Sequence, residues 1–88
     1  MKNRSRFDIF SEILDAAANE EGGGGITKTM IMYKAYLSHA QLKKYLALLL
    51  ENGMLDYDQT TAQYKTTEKG NRFLKTYNQI NEVIERET

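Results

Sequence analysis

The sequence predicts a mainly α-helical domain with one small β-hairpin, which is an α+β class with a single modest core. Apolar residues recur at helical spacing in four stretches, and a short stretch of strand-like pattern follows the third of them. A length of 88 residues leaves room for one core and little more. We expect a domain over residues 1–66, with a loose basic arm at residues 1–6, and a final helix over residues 67–88.

The composition excludes several kinds of site. The chain has no cysteine and one histidine, so disulfides, thiolate metal sites, cysteine nucleophiles and His-rich metal sites are excluded. No apolar run approaches the ~20 residues of a membrane span, and acidic residues interrupt the stretch after the basic N-terminus, unlike in a signal peptide. We therefore expect a cytoplasmic protein without a cofactor, a metal or a small-molecule ligand.

Charge is distributed unevenly along the chain. Twelve basic and twelve acidic residues give a net charge of zero, which argues against a basic coat that holds nucleic acid by charge alone. Residues 22–50, however, contain four lysines and no acidic residue. Such a polarised middle indicates a charged partner.

The first helix is predicted to end near Glu20, with a core face made of Phe7, Ile9, Phe10, Ile13, Leu14 and Ala17. Four glycines follow at residues 22–25. Because they lack the Gly-Lys-Ser/Thr ending of a phosphate-binding loop, we interpret them as a flexible connector. A short second helix then runs from Thr27 or Lys28 to Tyr36, with Ile31, Met32, Ala35 and either Tyr36 or Leu37 available to the core. Its start, with Lys28 and Thr29, is suited to meeting a phosphate.

The third helix has the strongest local signals. Ser38 and Gln41 have the spacing of a capping box, and Gly53 is placed to end the helix. Its apolar stripe is formed by Leu42, Leu46 and Leu49. The opposite face carries Ala40, Lys43, Lys44 and Ala47. A helix buried on one side with small and basic residues on the other fits a DNA major groove, but a core helix with a solvated lysine face has the same pattern.

A β-hairpin is predicted next, with strands around Leu55 and Tyr64. Three helices followed by a hairpin is the order of a winged helix-turn-helix domain. The predicted tip of the wing is polar but uncharged, so we expect it to bind phosphates weakly. Asp56 and Asp58 point to one face of their strand, and we interpret this pair as a solvated edge rather than as a catalytic acid and base.

The last helix is predicted to begin at a threonine cap, Thr66 or Thr67, and to contain Gly70 where another backbone comes close. Its apolar residues follow a coiled-coil spacing: Phe73, Tyr77, Ile80 and Ile84. Over residues 67–88 it would be roughly 33 Å long, more than so small a domain can cover. We expect a second copy of the chain to cover the far half, although a frayed tail is the alternative.

Two segments, GITKTMIMYKAYLSHAQLKKYLALLLENGML and YKTTEKGNRFLKTY, resemble the small archaeal winged-helix DNA-binding proteins and predicted transcriptional regulators, some of them chromatin-associated. The resemblance covers about residues 7–84, and KTTEKGNRFL is its most specific part. It implies a winged helix whose long C-terminal helix pairs as an antiparallel coiled coil in a homodimer. It also implies that the third helix, residues 38–52, is the recognition helix, with the wing at residues 57–65 as an accessory.

The function expected from these observations is sequence-specific or semi-specific binding of double-stranded DNA by a homodimer, a transcriptional regulator associated with the nucleoid. The residues predicted to contact DNA are Lys28, Thr29, Ser38, His39, Gln41, Lys43, Lys44, Thr61 and Lys65. The residues predicted to form the dimer are Phe73, Tyr77, Ile80 and Ile84. The alternative is a protein-binding module that uses the same helical surface or the flank of Tyr33, Tyr36 and Tyr45. No enzyme is expected, because no third group orients the neighbouring Ser38 and His39.

Overall fold

A computed structural model describes residues 4–18 and 25–87 of the chain. The elements, in chain order, are α1 (Arg6–Ala18), α2 (Lys28–Ala35), α3 (His39–Glu51), β1 (Leu55–Asp58), β2 (Gln63–Thr66) and α4 (Glu68–Glu87). This order confirms the predicted winged helix-turn-helix with a long C-terminal helix. The predicted end of α1 near Glu20 and the final residue of the chain lie outside the described residues.

Helix α1 lies at the centre of the core and contacts α2, α3, α4 and β2. Its inner face meets one apolar cluster drawn from all four helices and from β1, whose largest fully buried members are Ile13, Leu14, Ile26, Ile31, Leu42, Leu49 and Leu55. The Thr66 hydroxyl donates to the Leu14 carbonyl oxygen at 2.7 Å and ties β2 to α1. The core is therefore shared by the helices and the hairpin.

The loose arm expected at residues 1–6 is held to the domain from Arg4 onwards. The Arg4 guanidinium lies 2.5 Å from a carboxylate oxygen of Glu12. It also donates to the carbonyl oxygens of Ala35, at 2.5 Å, and Tyr36, at 3.1 Å. Arg6 is already the first residue of α1. Arg4 thus acts as a structural cross-link to the C-terminal end of α2, while residues 1–3 lie outside the described part of the chain.

Helix α2 begins and ends where its caps require. The Thr27 side chain accepts a hydrogen bond from the backbone N–H of Met30. Tyr36 ends the helix with a φ of 55°, in the left-handed region. Of the two candidates for the core, Leu37 is buried and Tyr36 is 83% exposed. The backbone reversal at Tyr36 turns the chain from α2 into α3.

Helix α3 has the predicted capping box. The Ser38 hydroxyl accepts from the Gln41 N–H at 3.2 Å, and the Gln41 side-chain oxygen accepts from the Ser38 N–H at 3.0 Å. Its apolar stripe is buried in full, at Leu42, Leu46 and Leu49. Gly53, just beyond the helix, has a φ of +73°, which a glycine adopts without strain.

The wing is a two-stranded antiparallel hairpin with an extra connection from Ile26 to Tyr64 of β2. The Ile26 N–H donates to the Tyr64 carbonyl oxygen at 2.9 Å, and the Tyr64 N–H donates to the Ile26 carbonyl oxygen at 2.7 Å. Gly25 has a φ of +98°, and a Cβ there would lie 2.7 Å from the Tyr64 carbonyl oxygen. The last glycine of the run is therefore fixed by the wing and is not part of a loose connector; residues 22–24 lie outside the described ranges.

Helix α4 begins at a threonine cap that also holds the preceding turn. The Thr67 hydroxyl accepts from the Gly70 N–H at 3.1 Å and donates to the Gly53 carbonyl oxygen at 2.7 Å. A Cβ at Gly70 would lie 2.3 Å from the Met54 carbonyl oxygen. The close backbone approach predicted at Gly70 is thus present, and it sets the root of α4 against the end of α3.

Candidate nucleic-acid interface

The solvent-facing side of α3 is the centre of the candidate site. Because the leucine stripe is buried, the rotation of the helix is fixed, and His39, Lys43 and Lys44 are all exposed. The Lys44 ammonium lies 5.5 Å from the centroid of the Tyr45 ring, a cation–π distance. The Tyr45 ring in turn packs edge-on against Phe10 of α1, with centroids 5.7 Å apart. The core therefore helps to orient one of the two lysines.

The cap of α3 uses part of the polar chemistry that the sequence assigned to DNA. The side-chain oxygen of Gln41 already accepts from the Ser38 N–H, so its NH₂ group remains as the donor for a ligand. The Ser38 oxygen accepts from the Gln41 N–H, and its O–H can still donate outward. Both residues are exposed, and both combine the cap with a remaining outward donor.

Lys28 and Thr29 are exposed in the first turn of α2, which contains no acidic residue. The Ile26–Tyr64 bridge places the start of α2 beside β2. The Lys65 side chain contributes to that junction, since its Cγ lies 3.3 Å from where a Cβ of Gly25 would be. The structure thus brings Lys65 and the start of α2 to the same end of the domain.

The rest of the wing has a mixed charge. Thr61 and Lys65 are exposed as a contact would require. Lys65 stands directly opposite Asp56 in the register, and a carboxylate oxygen of Asp58 accepts from the Thr60 N–H at 2.9 Å. Two exposed aspartates beside one lysine make this hairpin a poor phosphate-binding surface.

The inner face of the wing carries a tyrosine pair. The rings of Tyr57 and Tyr64 lie with their centroids 4.7 Å apart. Burial raises the pKa of the Tyr64 hydroxyl above its ordinary value, and the nearby Tyr57 raises it further. The Tyr64 hydroxyl therefore stays neutral at physiological pH and adds no charge to the interface.

The four residues predicted to form a dimer divide into two pairs. Phe73 packs on Phe10 with centroids 6.4 Å apart, and the Tyr77 hydroxyl donates to the Asp8 carboxylate, so both serve the chain's own fold. Ile80 and Ile84 are 53% and 56% exposed. A groove of about 400 Å³ lies between α4 and the start of α1, lined by Ser5, Phe7, Asp8, Phe73, Thr76, Tyr77, Ile80 and Asn81.

Val83, which the predicted dimer set omitted, continues the exposed stripe of α4 at 55% exposure. Its position three residues after Ile80 already places it on the apolar stripe in the sequence. The sequence assigned Tyr33 and Tyr36 to the protein-binding alternative, with Tyr36 also a candidate for the core, and did not assign either to DNA. Both are more exposed than any other large apolar or aromatic side chain in the described ranges.

Within residues 4–18 and 25–87, no group of three or more His, Cys, Asp or Glu side chains is arranged to hold a metal ion. None of the helices in that part of the chain combines the length and the apolar character needed to cross a bilayer.

Comparison with known proteins finds a protein family and a solved structure that this chain resembles. A sequence model of winged helix-turn-helix proteins matches residues 3–85. The crystal structure of Sso10a-2, a DNA-binding protein from Sulfolobus solfataricus, is similar with a TM-score of 0.78 and 22% identity, over 94% of this chain and 84% of that one. At 22% identity, this similarity shows a shared fold and nothing further. No curated protein sequence matches the chain. The two matches agree with the resemblance drawn from the sequence.

Proposed function

The chain belongs to the winged helix-turn-helix family, and from this premise we propose that it binds double-stranded DNA as a homodimer and regulates transcription at the nucleoid. One observation carries the proposal. Helix α3 is fixed in rotation by three buried leucines and presents Lys43 and Lys44 to solvent, inside a stretch of the chain without acidic residues. The similar protein Sso10a-2 is described as DNA-binding, which is consistent with this use of the helix.

In the proposed complex, residues 38–52 enter the major groove. Lys43 and Lys44 face base edges or nearby phosphates, and the free NH₂ group of Gln41 donates to a base acceptor. The backbone of the duplex is held at two helix starts by exposed donors and cations: Lys28, Thr29, Ser38 and His39. Thr61 and Lys65 make a secondary contact only, since the aspartates of the hairpin repel phosphates.

The homodimer is proposed to form through the part of α4 beyond the domain. Ile80, Val83 and Ile84 are each more than half exposed, and a second copy is the simplest cover for such a stripe. Charge favours an antiparallel arrangement, because basic residues dominate the first half of α4 (Lys69, Arg72 and Lys75) and acidic ones the second (Glu82, Glu85 and Glu87). In this division residues 1–66 bind DNA and residues 67–88 pair.

The experiment is a fluorescence-anisotropy titration with random-sequence duplex DNA at several salt concentrations. The wild type should bind with an affinity that falls steeply as salt rises, because bound lysines release counterions. The Lys43→Ala/Lys44→Ala double variant should bind more weakly and with a flatter salt dependence. The Lys43→Arg/Lys44→Arg variant, which keeps both charges, is the matched control and should keep the slope.

Absence of binding even at low salt would refute the proposal and favour the alternative, a protein-binding module. Unchanged binding by the double alanine variant would leave DNA binding in place but remove α3 as its surface. Circular dichroism of each variant checks that the helix content is intact.

A further inference from the structure

We propose that Tyr33 and Tyr36 form an additional, uncharged contact with the sugar–phosphate backbone of the bound duplex, their hydroxyls donating to phosphate oxygens. This inference rests on the proposed DNA binding. The two side chains are 73% and 83% exposed, and among the described residues neither hydroxyl makes a hydrogen bond within the chain. Large aromatic residues left so open on a small domain are typical of contact residues.

Tyr36 is held rigidly in an unusual conformation. Its φ of 55° is a left-handed value at which glycine or asparagine is the usual residue. The backbone there is fixed from two directions, because the Tyr36 N–H donates to the Tyr33 carbonyl oxygen and Arg4 binds the Tyr36 carbonyl oxygen. A tyrosine in this conformation whose side chain is 83% exposed points to a role outside the fold. Its ring is presented to solvent from a backbone that is already ordered.

The two tyrosines lie between the two helix starts already assigned to the DNA backbone. Thr29 and Tyr33 are four residues apart in α2 and therefore lie on the same side of that helix. Tyr36 follows at the C-cap, where the left-handed backbone ends the helical spacing. Tyr36 is two residues before Ser38, and its Cα therefore lies no more than about 7 Å from that of the α3 cap. A strand of DNA that passes from the start of α2 to the start of α3 would run along this side of the domain.

Charge indicates an anionic partner for this surface. No acidic residue occurs from residue 22 to residue 50, and Lys28 and Lys34 belong to the same helix. Glu12, an acidic side chain near the end of α2, forms an ion pair with Arg4. A tyrosine hydroxyl is a good donor to a phosphate oxygen. Because the hydroxyl is neutral, its contact releases no counterion.

The test compares the wild type with Tyr33→Phe/Tyr36→Phe, which removes only the two hydroxyls, in the same titration with random-sequence duplex across a range of salt. We expect the dissociation constant to rise about tenfold or more at every salt concentration while the salt slope stays that of the wild type. This differs from the loss of Lys43 and Lys44, which flattens the slope. Equal binding by the double phenylalanine variant and a salt-sensitive wild type would overturn the tyrosine contact and leave the proposed function standing.

A wild type that binds no DNA at any salt would instead refute the proposed function, and the tyrosine contact with it. Tyr36→Gly is the control for a merely structural role. Glycine suits the positive φ, so the thermal midpoint should stay the same or rise, while DNA affinity should still fall. An affinity equal to that of the wild type in this variant would contradict the proposal.

Discussion

Helices α3 and α4 have similar apolar stripes in the sequence but different surroundings in the structure. In α3, Leu42, Leu46 and Leu49 are all at most 4% exposed. In α4, Leu74 is buried near the start, whereas Ile80 and the two residues that continue its stripe are more than half exposed. The periodicity of a helix predicts which side is apolar, but it does not predict what covers that side.

The difference follows from the lengths of the two helices. Helix α3 has 13 residues and stays within the body formed by α1 and the hairpin, whereas α4 has 20 residues. At ~1.5 Å per residue, α4 is about 30 Å long, which exceeds the two shorter dimensions of the molecule, 27 and 24 Å. Its first half packs on the chain's own core at Leu74, whereas Ile80, Val83 and Ile84 in its second half are each more than half exposed.

The largest effect should come from truncating the buried stripe. Leu42→Ala should lower the free energy of unfolding by about 2–5 kcal/mol, because a fully buried leucine leaves a cavity in a small core. Leu50→Ala is the matched control on the same helix, since Leu50 is 37% exposed, and it should cost less than half as much. Urea unfolding measures both. Equal losses would mean that the leucine stripe does not define the buried side of α3.

The exposed stripe of α4 should respond in association rather than in folding. Ile80→Asp should convert the proposed dimer into a monomer, because it places a charge in an apolar interface, while the helix content stays the same. Asn78→Asp introduces the same charge two residues away, nearly on the opposite side of the helix, and should leave the dimer intact. Sedimentation velocity separates the two. A dimeric Ile80→Asp protein would show that α4 does not pair through this stripe.

Removing the N-cap side chains of α3 and α4 should give the smallest difference in stability between the two helices. Ser38→Ala should cost about 1 kcal/mol of stability, the usual value of an N-cap. Thr67→Ala should cost more, because the Thr67 hydroxyl also donates to the Gly53 carbonyl oxygen and so joins α4 to the end of α3. Thermal unfolding of the two variants measures this order. The reverse order would mean that the second hydrogen bond contributes nothing.

Local signals in the sequence predicted the elements well. The capping box at Ser38 and Gln41, and the close approach at Gly70, depend on residues near one another in the chain. The bridge of Ile26 to the wing joins segments far apart in sequence. The spacing of nearby residues does not predict a pairing of this kind. The role of Arg4 was missed for the same reason, because its acceptors at Ala35 and Tyr36 are distant along the chain.

The exposure of the candidate DNA-contacting residues was predictable to a similar extent. Burial of the leucine stripe puts Lys43 and Lys44 on the outside, as their spacing indicates. The division of the dimer set was not predictable, since Phe73 and Tyr77 pack on residues of α1 that a helical period cannot identify. Which of the exposed side chains contact DNA stays a prediction.

The two hydrogen bonds between Ile26 and Tyr64 have a consequence for how the domain opens. They close a loop of the chain that contains α2, α3 and β1, so this bridge between Ile26 and β2 acts as a clasp around the helix-turn-helix unit. We expect these two hydrogen bonds to break when that unit unfolds, because α2 and β1, which hold Ile26 and Tyr64 in place, are then lost. Amide exchange at Ile26 and Tyr64 should therefore follow that of the leucines of α3, as one cooperative unit.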